Sequence, residues 1–159
     1  AWEYDIVGTW YKCNITDVAA AMGLAQLDRY PAMLARRAEI IKKYDAAFKN
    51  AGISCLEHYT DAYTSSGHLY ITRVDGINAE QRSAIITEMA QREIACNVHY
   101  KPLPLHTAYK KLGFDIASYP CAYAFYENEI TLPLHTLLFD EEVDFVIENY
   151  LDIVKGYRK

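Results

Sequence analysis

The apolar residues of this chain change period once, at Asn50-Ala51-Gly52, and that change restricts the fold more than any other feature. Before it the spacing is helical. Val18, Ala19, Met22 and Leu27 recur within one segment, and Met33, Leu34, Ala38, Ile41, Tyr44, Ala47 and Phe48 form a stripe in a second. After it, short runs rich in β-branched and aromatic residues alternate with helical ones. Two helices followed by strands separated by helices predict an α+β fold, with long N-terminal helices and then a small antiparallel or mixed sheet covered by helices on one face.

Local signals place the elements. Asn14 or Thr16 can cap the first helix, and Asp17 suits its first turn. Pro31 lacks a backbone donor, so the first helix ends near Tyr30 and a second runs over 31–49, with Arg36, Arg37, Lys42 and Lys43 mostly on its wet side. Gly52 then supplies a left-handed stop. Strands are predicted over 67–74, 97–100 and 128–132, helices over 78–92, 107–112 and 121–126, and Asp140 caps a last helix that buries Val143, Val146, Ile147, Tyr150, Leu151 and Val154.

A chain of 159 residues suffices for one domain with its own core. The net charge of -5, with sixteen dispersed Lys and Arg, argues against a nucleic-acid partner. No run of apolar residues is long enough to span a membrane, and there is no signal-peptide pattern. Cys13, Cys55, Cys96 and Cys121 lack metal-ligand or disulfide spacing, which reads as reduced thiols, a cytoplasmic location and no metal site. The opening residues, Ala1-Trp2-Glu3-Tyr4, start without Met and read as the middle of a longer chain.

Two segments concentrate chemistry. His99-Tyr100-Lys101-Pro102-Leu103-Pro104-Leu105-His106 gathers two imidazoles, a phenol and an ammonium at a strand end. From the residues alone the plainer account is packing, with His99 and Tyr100 on alternate faces of a strand and His106 capping or packing near a short helix. Lys12, Asn14 and Thr16 stand before a helix N-terminus, where free N–H groups favour an anion such as phosphate, although capping alone also explains Asn14 and Thr16. Fourteen tyrosines fit a half-buried surface, either an oligomer interface or a sugar pocket.

In order along the chain, Tyr11-Lys12-Cys13-Asn14-Ile15-Thr16-Asp17 leading into Ala20-Ala21-Met22-Gly23-Leu24-Ala25-Gln26-Leu27, then Arg36-Arg37 and Tyr44, then Val98-His99-Tyr100-Lys101-Pro102-Leu103 with His106 and Tyr109, then Leu132-Pro133-Leu134-His135, resemble the DegT/StrS family of sugar aminotransferases. The resemblance covers nearly the whole chain. Trp10 departs from it, standing where the family usually has Gly.

The resemblance implies a fold-type I enzyme using pyridoxal 5'-phosphate, with this chain as its C-terminal part. Residues 1–30 would lead towards the large domain and residues 31–159 would form the small C-terminal domain. The parent protein would be a cytoplasmic homodimer that moves an amino group, with glutamate as donor, onto a nucleotide-linked keto-sugar. Asn14 matches the position that reaches the cofactor phosphate of the partner subunit, and Lys12 belongs to the same block. His99, Tyr100 and His106 match the segment bordering the substrate cleft. The Schiff-base lysine motif has no counterpart here, so the chain alone is expected to be inactive. A dehydratase of the same family and a stand-alone binding module are the other readings.

Overall fold

The computed structural model describes residues 14–158, and these fall into two compact units that meet in sequence at Met33 and Leu34. In the first unit, Thr16 caps helix α1 (Asp17–Leu27) by accepting from the Ala19 N–H at 3.3 Å. None of its residues is buried, and Val18, Met22, Leu24 and Leu27 are exposed. The helix ends at Leu27, short of the predicted Tyr30. Helix α2 (Tyr30–Phe48) then starts with Pro31 in its first turn, where the missing donor costs nothing.

Within the second unit, α2 buries Ile40, Ile41, Tyr44 and Phe48. Asn50 and Gly52 both adopt left-handed backbone, each with φ 64°, and turn the chain into strand β1 (Ile53–Cys55). That three-residue strand is absent from the sequence expectations. It pairs antiparallel with β2 (Tyr70–Val74), which pairs antiparallel with β3 (Glu129–Leu132), giving the order β1-β2-β3.

Between β2 and β3 lie α3 (Ala79–Gln91), α4 (Thr107–Lys111) and α5 (Pro120–Tyr126), and α6 (Asp140–Tyr157) closes the chain. Asn78 caps α3 by accepting from the Gln81 N–H at 2.9 Å, while Gln81 accepts from the Asn78 N–H at 3.0 Å, a reciprocal capping box. At α6 the cap is Phe139 rather than Asp140: Asp140 is the first helical residue, and the Glu142 carboxylate reaches back to accept from the Phe139 N–H at 2.8 Å. The buried stripe of α6 contains Ile153 in place of the expected Leu151, which is half-buried.

Cross-strand partners share a face, so the register divides the sheet cleanly. Tyr70 opposite Leu132 and Thr72 opposite Ile130 define one face, and Ile71 opposite Thr131 and Arg73 opposite Glu129 define the other. The first face carries the aromatic core. Tyr44 lies 4.7 Å from Tyr70 between ring centroids, and Phe48 lies 5.5 Å from Tyr150. Thr72 donates to the Ile130 carbonyl at 2.7 Å, so its oxygen must accept from the Tyr150 hydroxyl, also at 2.7 Å.

The long segment between β1 and β2 folds over the edge of this core. His58 is buried, stacks on Tyr70 at 5.8 Å and 6°, and contacts Ser65 through Nδ1 at 3.1 Å, while its buried Nε2 has no partner. Gly67 admits the tight approach of α2: its φ is +62°, and a Cβ there would come within 2.9 Å of Ile41 Cδ1. Arg37, expected mostly in water, reaches along its apolar stem and donates to the Gly67 carbonyl at 2.8 Å.

Candidate substrate-facing site

The second face of the sheet is more polar, and its β3 side is buried while Ile71 and Arg73 of β2 are half-buried. Alternation along β3 turns Glu129 and Thr131 away from Ile130 and Leu132, and all four are buried. Instead of the predicted strand over 97–100, the chain makes a single antiparallel bridge in which the Asn97 N–H donates to the Thr131 carbonyl at 3.1 Å and the Thr131 N–H to the Asn97 carbonyl at 2.8 Å. The ladder stops there because the next donor facing β3, the His99 N–H, goes to the Glu129 carboxylate at 3.0 Å instead of to the Glu129 carbonyl.

That bridge delivers His99 to the polar face. The His99 N–H donates to Glu129 Oε2 at 3.0 Å, the Thr131 hydroxyl donates to Glu129 Oε1 at 2.5 Å, and His99 Nδ1 lies 2.9 Å from Thr131 Oγ1. Burial pushes the Glu129 carboxyl above its ordinary range; the bonds from Thr131 and His99, and the nearby charge of Arg82, pull it back. Arg82 is itself buried and lies over the Tyr126 ring, 4.6 Å from its centroid. Arg73 sits over Phe125 and donates to Asn128 Oδ1 at 2.9 Å.

Beyond His99 the chain emerges from the core. The Tyr100 ring packs edge-on against His99 at 4.6 Å and 83°, yet Tyr100 is 72% exposed, and the peptide between them is cis. His106 is exposed and donates from Nε2 to the Lys101 carbonyl at 3.3 Å, closing the loop on itself. The same segment then forms one wall of an apolar groove of about 360 Å³, lined by Pro102, Leu103, Pro104, Tyr109, Phe114 and Tyr119. Nothing in the spacing of these residues foretold the groove.

The structure thus brings His99, Tyr100 and His106 onto one loop. Asn14 belongs to the first unit: it is exposed, precedes α1, and makes no side-chain hydrogen bond to the described residues. Lys12 lies outside the described residues. Glu129 and Thr131 were not singled out from the sequence, although the alternation Glu-Ile-Thr-Leu marks them as a polar face. Among the described residues no three His, Cys, Asp or Glu gather as a metal site, and no helix is long and apolar enough to cross a membrane. Cys55 and Cys96 are half-buried, with the Cys96 thiol pushed up to about 12 by burial, whereas Cys121 is exposed.

A three-stranded antiparallel sheet, with helices before, between and after its strands, thus carries the histidine-tyrosine loop. Residues 2–150 match the DegT/DnrJ/EryC1/StrS aminotransferase family, and the chain belongs to that family. It is 36% identical over 159 residues to the spore coat polysaccharide biosynthesis protein SpsC of Bacillus subtilis, covering 98% of this chain and 41% of SpsC. It is 31% identical to the UDP-4-amino-4,6-dideoxy-N-acetyl-beta-L-altrosamine transaminase of Campylobacter jejuni, covering 99% of this chain and 42% of that enzyme.

Among solved structures, Spr1654 of Streptococcus pneumoniae, assigned as a sugar aminotransferase, superposes in its PLP form with a TM-score of 0.91 at 57% identity, over 100% of this chain and 41% of that one. Its PMP form superposes equally well, at 58% identity and over 99% of this chain and 39% of that one. The α+β fold is therefore that of a fragment of fold-type I aminotransferases. The chain spans about two fifths of the length of the curated relatives it matches.

Proposed function

We propose that this chain is the C-terminal, substrate-facing part of a pyridoxal-phosphate-dependent aminotransferase acting on a nucleotide-linked keto-sugar, with glutamate as amino donor. The observation that carries the reading is the loop from His99 to His106, held at its base by the buried Glu129 and Thr131 and presenting an exposed phenol and imidazole beside an aromatic groove. Rigid support below and exposed polar tips above are what a sugar-binding edge requires.

The described lysines do not suit the cofactor-bearing role. All are exposed except Lys43, which pairs with Asp144 at 2.8 Å, and none stands in the enclosed setting that the role needs. The residue that fits the cofactor is Asn14, whose amide makes no hydrogen bond among the described residues, lies beside a helix N-terminus and can donate to a phosphate oxygen. Lys12 would add a positive charge to the same block. When bound, the cofactor supplies the electron sink for nitrogen exchange. This chain's residues contribute orientation: Tyr100 and His106 hold polar groups of the sugar, and the groove shelters its apolar edges.

In this reading residues 1–30 lead towards the large domain and 31–159 form the small one, in a cytoplasmic homodimer whose Asn14 serves the partner subunit's cofactor. The fragment by itself is inactive. The test uses the full-length protein with pyridoxal phosphate, glutamate and a uridine-diphosphate 4-keto-sugar, following 2-oxoglutarate. Tyr100→Phe and His106→Ala are each expected to raise KM for the sugar about tenfold with kcat within about threefold, the pattern of lost uniform binding. Unchanged KM in both variants removes this loop from the substrate site; no 2-oxoglutarate at all refutes the aminotransferase reading.

A further inference from the structure

The buried carboxylate of Glu129 is not needed for packing. Ile130 and Leu132 serve the core from the other face of β3, and a buried charge is costly unless it performs some task. Its hydrogen bonds show what that task is. Glu129 Oε2 accepts from the His99 backbone N–H, a donor that cannot be reversed. Oε1 accepts from the Thr131 hydroxyl at 2.5 Å, and an ionised carboxylate can only accept. The single Thr131 proton is therefore committed to Glu129. At the 2.9 Å contact with His99 Nδ1, Thr131 Oγ1 can only be the acceptor, so Nδ1 must carry the hydrogen. A neutral imidazole with its proton on Nδ1 has a lone pair on Nε2, and among the described residues nothing hydrogen-bonds to that nitrogen.

We infer that Glu129, acting through Thr131, is a positioning residue that fixes His99 in the Nδ1–H tautomer and presents Nε2 as a hydrogen-bond acceptor, selecting a donor group of the substrate, a sugar hydroxyl or acetamido N–H, over phosphate or keto oxygens. The ligand half of this statement rests on the substrate-facing reading of the loop; the relay itself rests on the three hydrogen bonds and on an ionised Glu129. The groups that face Glu129 are His99, Thr131 and the Arg82 guanidinium; burial raises its carboxyl against the ionised form on which the relay depends, and the bonds from Thr131 and His99, with the Arg82 charge, oppose that shift, so the tautomer is read well above the carboxylate range.

Substitution of Glu129 makes the relay reversible on paper. In Glu129→Gln the amide oxygen must face the His99 N–H, so the amide nitrogen donates to Thr131. The Thr131 hydroxyl then turns to donate to His99 Nδ1, and the imidazole proton moves to Nε2. Thr131→Ser keeps the hydroxyl and the wild-type tautomer, whereas Thr131→Val removes it and leaves the two tautomers mixed.

The experiment is long-range ¹H–¹⁵N correlation NMR of the imidazole nitrogens, at a pH well above the carboxylate range, on this chain and on the full-length protein. Wild type and Thr131→Ser are expected to show a protonated Nδ1 and a bare Nε2, and Glu129→Gln the reverse. A wild-type spectrum with the proton on Nε2, or one that Glu129→Gln leaves unchanged, overturns the relay. Should Glu129→Gln fail to fold, the Ser and Val variants at 131 carry the same test, and identical spectra for those two overturn it.

Adding uridine diphosphate N-acetylglucosamine to the full-length protein is expected to shift bare Nε2 upfield without protonating it. Protonation of Nε2 on binding refutes the acceptor role. A relay that behaves as described with no Nε2 response to the sugar nucleotide refutes the substrate-facing reading and leaves the tautomer assignment standing.

Discussion

On one face of the sheet, Tyr70, Thr72 and Val74 meet Phe48, Tyr44 and Tyr150 in an aromatic core; on the other, Arg73, Glu129 and Thr131 meet His99, Asn128 and the ring face of Phe125. The first face is buried along β2 and β3, whereas on the second Glu129 and Thr131 are buried and Ile71 and Arg73 only half-buried, and the two are held by different physics. The first depends on shape and area, so it tolerates loss of a polar atom better than loss of volume. The second depends on matching every donor with an acceptor, so volume matters less than proton count. The face that determines stability and the face that supports the loop are thus two sides of the same three strands.

Four measurements can break or sharpen this division. Phe48→Ala empties the centre of the aromatic face and is expected to cost about 3–5 kcal/mol in urea unfolding, the largest effect of the set. A loss below about 2 kcal/mol would mean that this face is not the one holding the fold. Thr72→Val strands the buried Tyr150 hydroxyl and is expected to cost about 1–3 kcal/mol, and adding Tyr150→Phe should recover most of it, because removing both partners leaves nothing unsatisfied. On the polar face, Asn128→Ala removes the acceptor for Arg73 Nε and the donor to the Val74 carbonyl, for an expected loss of about 1 kcal/mol.

The smallest effect is read as a slope. Burial lowers the His58 imidazole below its ordinary value of 6.5, against a weaker opposing pull from Asp45. With the folded value depressed, stability is full above the ordinary imidazole value. It falls as acidification protonates the unfolded chain first, and levels off only below the folded value. Between about pH 7.5 and pH 5, wild type should therefore lose more stability than His58→Phe. Equal slopes would show that His58 is solvated and that the aromatic face admits water at its edge.

Much of this fold was legible before the structure. Pro31, the left-handed stop at Gly52 and the stripe of α6 act within a few residues of themselves, so local pattern reveals them. Strand β1 was not legible because three residues are too few to show alternation. The expected strand at 97–100 fails because the Glu129 side chain, not its carbonyl, takes the His99 N–H, a competition between residues thirty apart that no local pattern displays. Of the site, the loop from His99 to His106 was visible as composition and as family resemblance. Its support was not, because Glu129 and Thr131 lie thirty or more residues away from His99 in sequence, and only the single bridge at Asn97 brings them together. The groove was hidden for the same reason, its walls coming from separate turns between Pro102 and Ala122.

The uneven burial of the cysteines has a practical side. Cys96 and Cys55 are held in surroundings that disfavour the thiolate, so electrophiles should meet them slowly, while Cys121 stands exposed in α5, next in sequence to a residue lining the groove. With Cys13 replaced, a maleimide dye would attach chiefly at Cys121, giving an optical reporter of whatever enters the groove without altering any residue of the His99 relay.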